Sequence, residues 1–458
     1  MTRKVPDPTS PSGHVLTLAR VALPLALSQL SEMAMGVTDT VLLGSLGVTE
    51  LAIGGISNSV FFTTMVTFQT ILGGAGIMLS HGRGVVDSGG VSHDGRSIVS
   101  AAVALALCVF VPCLLLLLPA RELFSMMGEP SAVIEHGSRF IHILLIALLP
   151  DLVIIGLFRV ILPALGAETL LLWIMPAMAL CNGLTNATLI HGWFGLPALG
   201  LYGSATATSL TGWAISLALI VLCLARPNIR AVLRPASVQW PIFKELLKLG
   251  LPIMAGAAAE ILMFQITGLR AGEFGTQSLA AHQIAQNTAS LTFMVCLAIG
   301  QAVNVRVSYW RGAQQMVQAR RAAITAVGLV LSWSVLTASA LLIWPDRVAA
   351  LYFSGAPPDA TTMATTVLLL KIAGIFQLVD GLQTTFTGAL RGCGDTVWPM
   401  VIGICSYTMV GLGFGGWLAF QAHYGVEGLW FGLAAGLAVT CVATGYRMYR
   451  VMWRCAPT

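Results

Sequence analysis

Twelve long apolar stretches constrain this chain more than any other feature. They lie near residues 18–46, 51–80, 97–119, 138–163, 168–191, 199–225, 249–272, 278–308, 321–345, 361–390, 396–421 and 426–449. Each reaches the roughly 20 residues that carry a helix across a bilayer, where lipid offers the backbone no hydrogen-bond partner. Several exceed that length, which implies tilt or extension beyond the membrane. A soluble core is excluded by composition: 56% of residues are hydrophobic and only 9% charged, against about 25% charged in soluble domains. The predicted fold class is an all-α integral membrane protein with twelve transmembrane helices.

The basic residues orient the chain. Of 24 Lys and Arg, 18 fall in the terminal tails and in alternate connections on one side. The richest is "ARPNIRAVLRPASVQWPIFKELLKLG" (225–250), with Arg226, Arg230, Arg234, Lys244 and Lys248. The opposite side holds Arg121, Arg139, Arg270 and Arg347, while Arg159 and Lys371 fall within spans. The positive-inside rule then places both termini in the cytoplasm, as an even number of spans requires. The net charge of +5 is this one-sided bias and gives no case for nucleic acid. The start, "MTRKVPDPTSPSGH", is polar and Pro-rich and reads as a loose tail without a cleavable signal. Nine cysteines are scattered, among them Cys108, Cys181, Cys296 and Cys405 inside spans, with no CxxC or Cys/His ligand spacing. They read as small core residues, and no structural metal site is expected.

The basic connection divides the chain into six spans and six. At an offset of 228, residues 47–84 share 9 of 38 identities with their counterparts, including Gly47/Gly275, Ile56/Ile284, Thr64/Thr292 and Arg83/Arg311. "PALGAET" (163–169) resembles "GALRGCGDT" (388–396) with two residues inserted, and "GLYG" (200–203) resembles "GLWFG" (428–432). Two halves with an even span count and the same charge bias are parallel repeats, two six-helix bundles related by a pseudo-two-fold axis along the membrane normal. Such bundles, rocking about a central cavity, are an alternating-access design. The expected organisation is a cytoplasmic tail (1–17), a first lobe (18–225), a cytoplasmic linker (226–248), a second lobe (249–449) and a second tail (450–458).

Carboxylates at membrane depth are costly and mark ion or substrate paths. Asp380, in "IFQLVDGLQTTF" (375–386), lies near the middle of the tenth span, and Glu260, in "LPIMAGAAAEILMFQITGL" (251–269), about ten residues into the seventh. Two such acids facing one cavity repel, and a proton or a metal cation relieves the repulsion. The alternative is a static pairing of each with a neighbouring helix. Asp39 lies in the first span with Glu32 seven residues earlier, on roughly the same helical face. Asn182 and Asn186 are four apart and share a face of the fifth span. Their carbonyls suit a cation or a protonated Asp39, or plain interhelical hydrogen bonding. Gln283, Gln286 and Asn287 line the eighth span, where His282 reads as a packing histidine before a titrating one. Asp151 and Arg159 in the fourth span read as partners of each other or of neighbours. Arg391, Gly392, Gly394 and Asp395 read as loop structure at the cytoplasmic end of the tenth span.

Taken together, "VTDTVLLGSLG", "LPIMAGAAAEI", "LAAHQIAQNTASLTFM" and "FQLVDGLQTTFTGALRGCGDT" resemble the multidrug and toxic compound extrusion (MATE) transporters over nearly the whole chain. The pair Glu260 and Asp380 favours the NorM-like branch over the DinF-like branch, whose carboxylate chemistry lies mainly in the first half. The resemblance implies that Glu260 and Asp380 are the cation-binding carboxylates of the second lobe, that Asp39 is the first-span aspartate of proton or substrate coupling, and that Asn182 and Asn186 are the polar pair near it. One position departs: sodium-driven NorM-like members carry a tyrosine one turn before the tenth-span aspartate, and here Phe376 lacks that oxygen. This shifts the expectation toward protons, with Na⁺ at Glu260 and Asp380 as the other coupling ion.

The expected function is a secondary antiporter of the plasma (bacterial inner) membrane. It exports amphipathic, often cationic organic compounds in exchange for H⁺ or Na⁺, as a monomer without cofactor. No GxxxxGK[ST] motif occurs, so direct ATP use is not expected. A lipid-linked glycan flippase of a related fold is the first alternative, yet it calls for a cationic cavity, and the span-embedded charge here is mostly acidic. An intramembrane enzyme lacks a visible nucleophile or metal constellation. A channel has no need of matched halves.

Overall fold

The computed structural model describes residues 10–353 and 359–454. All twelve predicted spans are helices: Ser12–Gly44, Val48–Asp87, Gly95–Leu117, Val133–Leu165, Thr169–His191, Leu201–Leu224, Trp240–Gly272, Thr276–Gly312, Met316–Ile343, Ala360–Gly392, Val397–Gln421 and Gly425–Trp453. No strand occurs among the described residues. Several helices run past the apolar stretch that marks them in sequence, since a helix continues through polar turns outside the lipid. The first already includes residues of the expected tail, and the linker carries a short helix at Pro227–Leu233 and the start of the seventh span at Trp240. Residues 1–9 and 455–458 of the expected tails lie outside the described residues.

The chain forms two compact units. One comprises Met1–Ala26, Arg83–Gly90 and Ala255–Thr458, and the other Leu27–Gly82 and Val91–Met254. The boundaries cut the first and seventh helices after Ala26 and Met254, positions 228 residues apart, the offset at which the sequence halves align. The unit that begins at Leu27 has a core around Phe61, Leu105, Phe124, Phe140, Leu144 and Leu148. The other is built on Met263, Phe376, Tyr407, Trp430, Leu433 and Leu437. Lipid tails are as apolar as leucine, so close fit rather than hydrophobic burial holds such helices together. Gly388 of the tenth span shows the fit: a Cβ there would collide with the Gly300 carbonyl of the eighth.

The fourth and eleventh spans depart from α-helical winding where they carry polar groups. Leu149–Ile155 in the fourth span and Ser406–Phe414 in the eleventh wind as wider π-helical turns, a form that concentrates at functional sites. Pro150 has no N–H to give the Ile146 carbonyl, and the Trp213 indole of the sixth span donates to it instead at 3.0 Å. Gln69 of the second span donates to the Asp151 carbonyl at 2.9 Å. Irregular backbone at membrane depth survives only when protein groups take up its freed carbonyls in this way.

Candidate functional site

Asp380 is buried, at 3% exposure, and its Oδ1 has no hydrogen-bond partner. An acid so placed is stable only with a proton, a counter-cation or a set of donors. Another acid, Glu260 of the seventh span, interacts with it electrostatically. The two carboxylates thus lie in one cluster, from spans far apart in the chain.

Four residues complete the cluster, Tyr407, Gln383, Thr440 and Arg391, and none of them stands out in the sequence as a site residue. The Tyr407 hydroxyl, on the π-turn of the eleventh span, hydrogen-bonds Glu260. It also accepts from Gln383 Nε2 at 2.7 Å and meets Thr440 of the twelfth span. Arg391 is not loop structure. It sits in the last turn of the helix Ala360–Gly392, and its guanidinium interacts with both Glu260 and Tyr407. No contact ion pair among the described residues joins Arg391 to Glu260. Asp395 does have a structural partner, Arg447, at 2.8 Å.

Phe376 stands beside this cluster as an apolar wall. Its ring meets Phe264 and Trp430 edge-on, with centroids 6.2 and 6.1 Å apart. Trp430 in turn donates from Nε1 to His282 Nδ1 at 3.2 Å. That bond requires a bare Nδ1, so His282 serves here as a neutral packing histidine. Gln283 and Asn287 are exposed on one face of the eighth span instead of buried with Asp380.

The other unit holds a separate acid cluster. Asp39 is buried at 3% exposure and accepts from Asn186 Nδ2 at 2.5 Å, an amide that also reaches Ser204 Oγ at 3.3 Å. The amide nitrogen, rather than the carbonyl foreseen from sequence, faces the carboxylate. The side-chain oxygens of Asn182 and Asn186 are both buried without a partner. Glu32 does not join this group. Seven residues amount to roughly 10 Å of helix, and at that distance Glu32 pairs with Arg159, Nη1 to Oε2 at 2.7 Å. Arg159 also donates to Gln29 Oε1 at 2.9 Å. Asp151 lies within electrostatic range of Glu32, and Arg159 is thus engaged by the first span.

The MatE family model matches the chain twice, over residues 24–189 and 252–417. Both limits are 228 residues apart, so the internal repeat read from a few identities coincides with two copies of one family unit. The multidrug resistance protein NorM of Burkholderia vietnamiensis is 42% identical over 450 residues, covering 98% of this chain and 96% of that protein. A probable multidrug resistance protein NorM of Rhizobium meliloti is 31% identical, covering 96% and 94%. Among solved structures, an outward-facing multidrug resistance MATE family transporter of the MOP superfamily superposes with a TM-score of 0.84 at 18% identity, over 97% of each chain. The eukaryotic MATE transporter AtDTX14 gives 0.81 at 18% identity, over 97% of this chain and 99% of its own. These likenesses carry the fold, and the sequence matches carry the kinship: the chain is a multi-pass membrane transporter, not an enzyme, and belongs to the MatE family.

Proposed function

We propose that this transporter exports amphipathic, often cationic organic compounds from the cytoplasm across the bacterial inner membrane, with both termini inside, in exchange for H⁺ or Na⁺. The observation that carries this reading is Asp380: a buried acid with an unpartnered oxygen, on which a second acid acts electrostatically. Ionised together, Asp380 and Glu260 repel in a medium that screens little. A cation arriving from outside neutralises them. The change in charge biases the equilibrium between inward- and outward-open forms and weakens retention of a cationic substrate. Moving one charge across 100 mV is worth about 2.3 kcal/mol, which supports roughly a fiftyfold gradient per charge exchanged. The names of the NorM relatives agree with organic substrates of many kinds.

The proton is the favoured ion. Phe376 offers no oxygen, and the Tyr407 hydroxyl is already engaged by Gln383 and Glu260, which leaves few free ligands for a sodium ion. The test is ethidium efflux from cells and proteoliposomes under separately imposed pH and sodium gradients. Efflux by the wild type is expected to follow the pH gradient, and Glu260→Gln or Asp380→Asn to lower it at least tenfold. Wild-type efflux rates in both variants would end the assignment.

A further inference from the structure

The two halves each carry an acid pair and an arginine in counterpart spans. Glu32 and Glu260 are 228 residues apart, in the first and seventh spans. Asp151 and Asp380 lie in the fourth and tenth spans, and each is followed on its own helix by one arginine, Arg159 and Arg391. In both clusters the two acids interact electrostatically. The clusters differ in one respect. Arg159 touches Glu32 at 2.7 Å, whereas Arg391 makes no contact ion pair with Glu260. The cause is reach. Arg159 is eight residues beyond its aspartate and Arg391 eleven, and three further residues place the guanidinium about 4.5 Å farther along the helix.

We propose that Arg159 is a tethered counter-cation, doing permanently for Glu32 what a migrating cation does for Glu260, so that the pair Glu32 and Asp151, unlike Glu260 and Asp380, takes no part in ion coupling. Arg159 is a positioning residue: it touches no substrate and sets which acid pair answers to the external ion. Its Nη2 also donates to Gln29 Oε1 at 2.9 Å, which fixes the guanidinium against the first span and keeps the charge from leaving. Glu32 of the first span acts on the Asp151 carboxylate, Gly212 of the sixth lies against it, Gln69 of the second holds its backbone carbonyl, and Arg159 follows on its own helix. Arg159 is the one cation among them. Without it Glu32 and Asp151 have no cation in contact, as Glu260 has none in the second half. The inference rests on the reading of Glu260 and Asp380 as the coupling acids.

The experiment measures how many coupling cations move per ethidium in proteoliposomes, from the opposing ion gradient at which net dye flux stops. That ratio is independent of turnover and yield, so a purely structural defect does not move it. Arg159→Gln is expected to raise the ratio by one, Arg159→Lys to keep the wild-type ratio, and the charge-cancelled double variant Glu32→Gln/Arg159→Gln to restore it. An active Arg159→Gln protein with the wild-type ratio overturns the proposal, as does a double variant that behaves like the single one. If Arg159→Gln does not fold, the double variant decides: wild-type yield and ratio uphold charge compensation, and loss of both shows that the arginine acts through packing alone. Glu260→Gln and Asp380→Asn run alongside. If they leave coupling intact, the functional reading fails on its own account; if they abolish it while Arg159→Gln changes nothing, only this inference falls.

Discussion

Asp39 is held at membrane depth by a single amide, which makes Asn186 the residue whose loss is most readily measured. The Asn186 Nδ2 donates to Asp39 at 2.5 Å, and no other hydrogen bond to that carboxylate occurs among the described residues. Asn186→Leu keeps the volume and deletes the donor, leaving a buried acceptor unsatisfied at a cost of ~1–3 kcal/mol. Thermal unfolding in detergent is expected to show that loss, and Asp39→Asn in the same background to recover part of it. Strict additivity of the two substitutions would mean that the residues do not work as a pair. At this scale the sequence is most readable where a carboxylate or amide interrupts a long apolar span. Asp380, Glu260, Asp39 and Asn186 stand out because apolar runs flank them. Tyr407 and Arg391 escape notice for physical reasons. A tyrosine inside an apolar span looks like packing, and an arginine at a helix end looks like an interfacial anchor. Only the folded geometry brings both to Glu260.

At the scale of the helix, ends and irregular turns matter more than the apolar middle. The third span, Gly95–Leu117, is capped by Asp94, which accepts from the Arg96 backbone N–H at 3.1 Å and from Arg96 Nε at 2.7 Å. The Arg96 side chain, and then its backbone N–H, hold the Asp94 carboxyl below the usual carboxylate range. A depressed folded-state value means that the stabilisation is full above the unfolded value, near ~3.9, and fades as the pH falls through the lower folded one. The pair is exposed, so the ion-pair share is small and the cap dominates. Asp94→Ala is expected to cost about 1 kcal/mol at neutral pH. The gap in melting temperature from wild type should narrow as the pH drops below about 4; a gap that does not change with pH would assign the effect to helix propensity. Helix existence was legible from apolar length alone, because lipid leaves the backbone no other choice. The π-turns at Leu149–Ile155 and Ser406–Phe414 were not. Their wider winding depends on donors such as Trp213 and Gln69 from other spans, and no local pattern announces those partners.

For the whole molecule, duplication is the organising fact, and it was written in the sequence at one offset. Residues 47–84 pair with 275–312 through nine identities, the family model repeats at the same spacing, and the unit boundaries at Ala26 and Met254 keep it. What the repeat does not fix is which face of the membrane each end meets; for that the charge bias gives the expectation. Lys and Arg number 18 on one side and four on the other, and moving that many charges through the bilayer during insertion is far costlier than moving four. Both halves start from the same side, so one measurement in each half tests the whole arrangement. In a cysteine-free background, Ser125→Cys and Ala271→Cys sit in or beside connections on the charge-poor side, whereas Asn228→Cys lies in the basic linker between the halves. Ala271 is buried, so Glu273→Cys, exposed at the same connection, is the better reporter there. A membrane-impermeant maleimide added to spheroplasts is expected to label positions 125 and 273 and to spare 228 until the membrane is opened. Labelling of 228 in intact spheroplasts would invert the topology, and with it the direction in which the acid pair meets its cation. Labelling of 125 without 273 would show that the halves are inserted with opposite sense, which parallel repeats of six spans forbid.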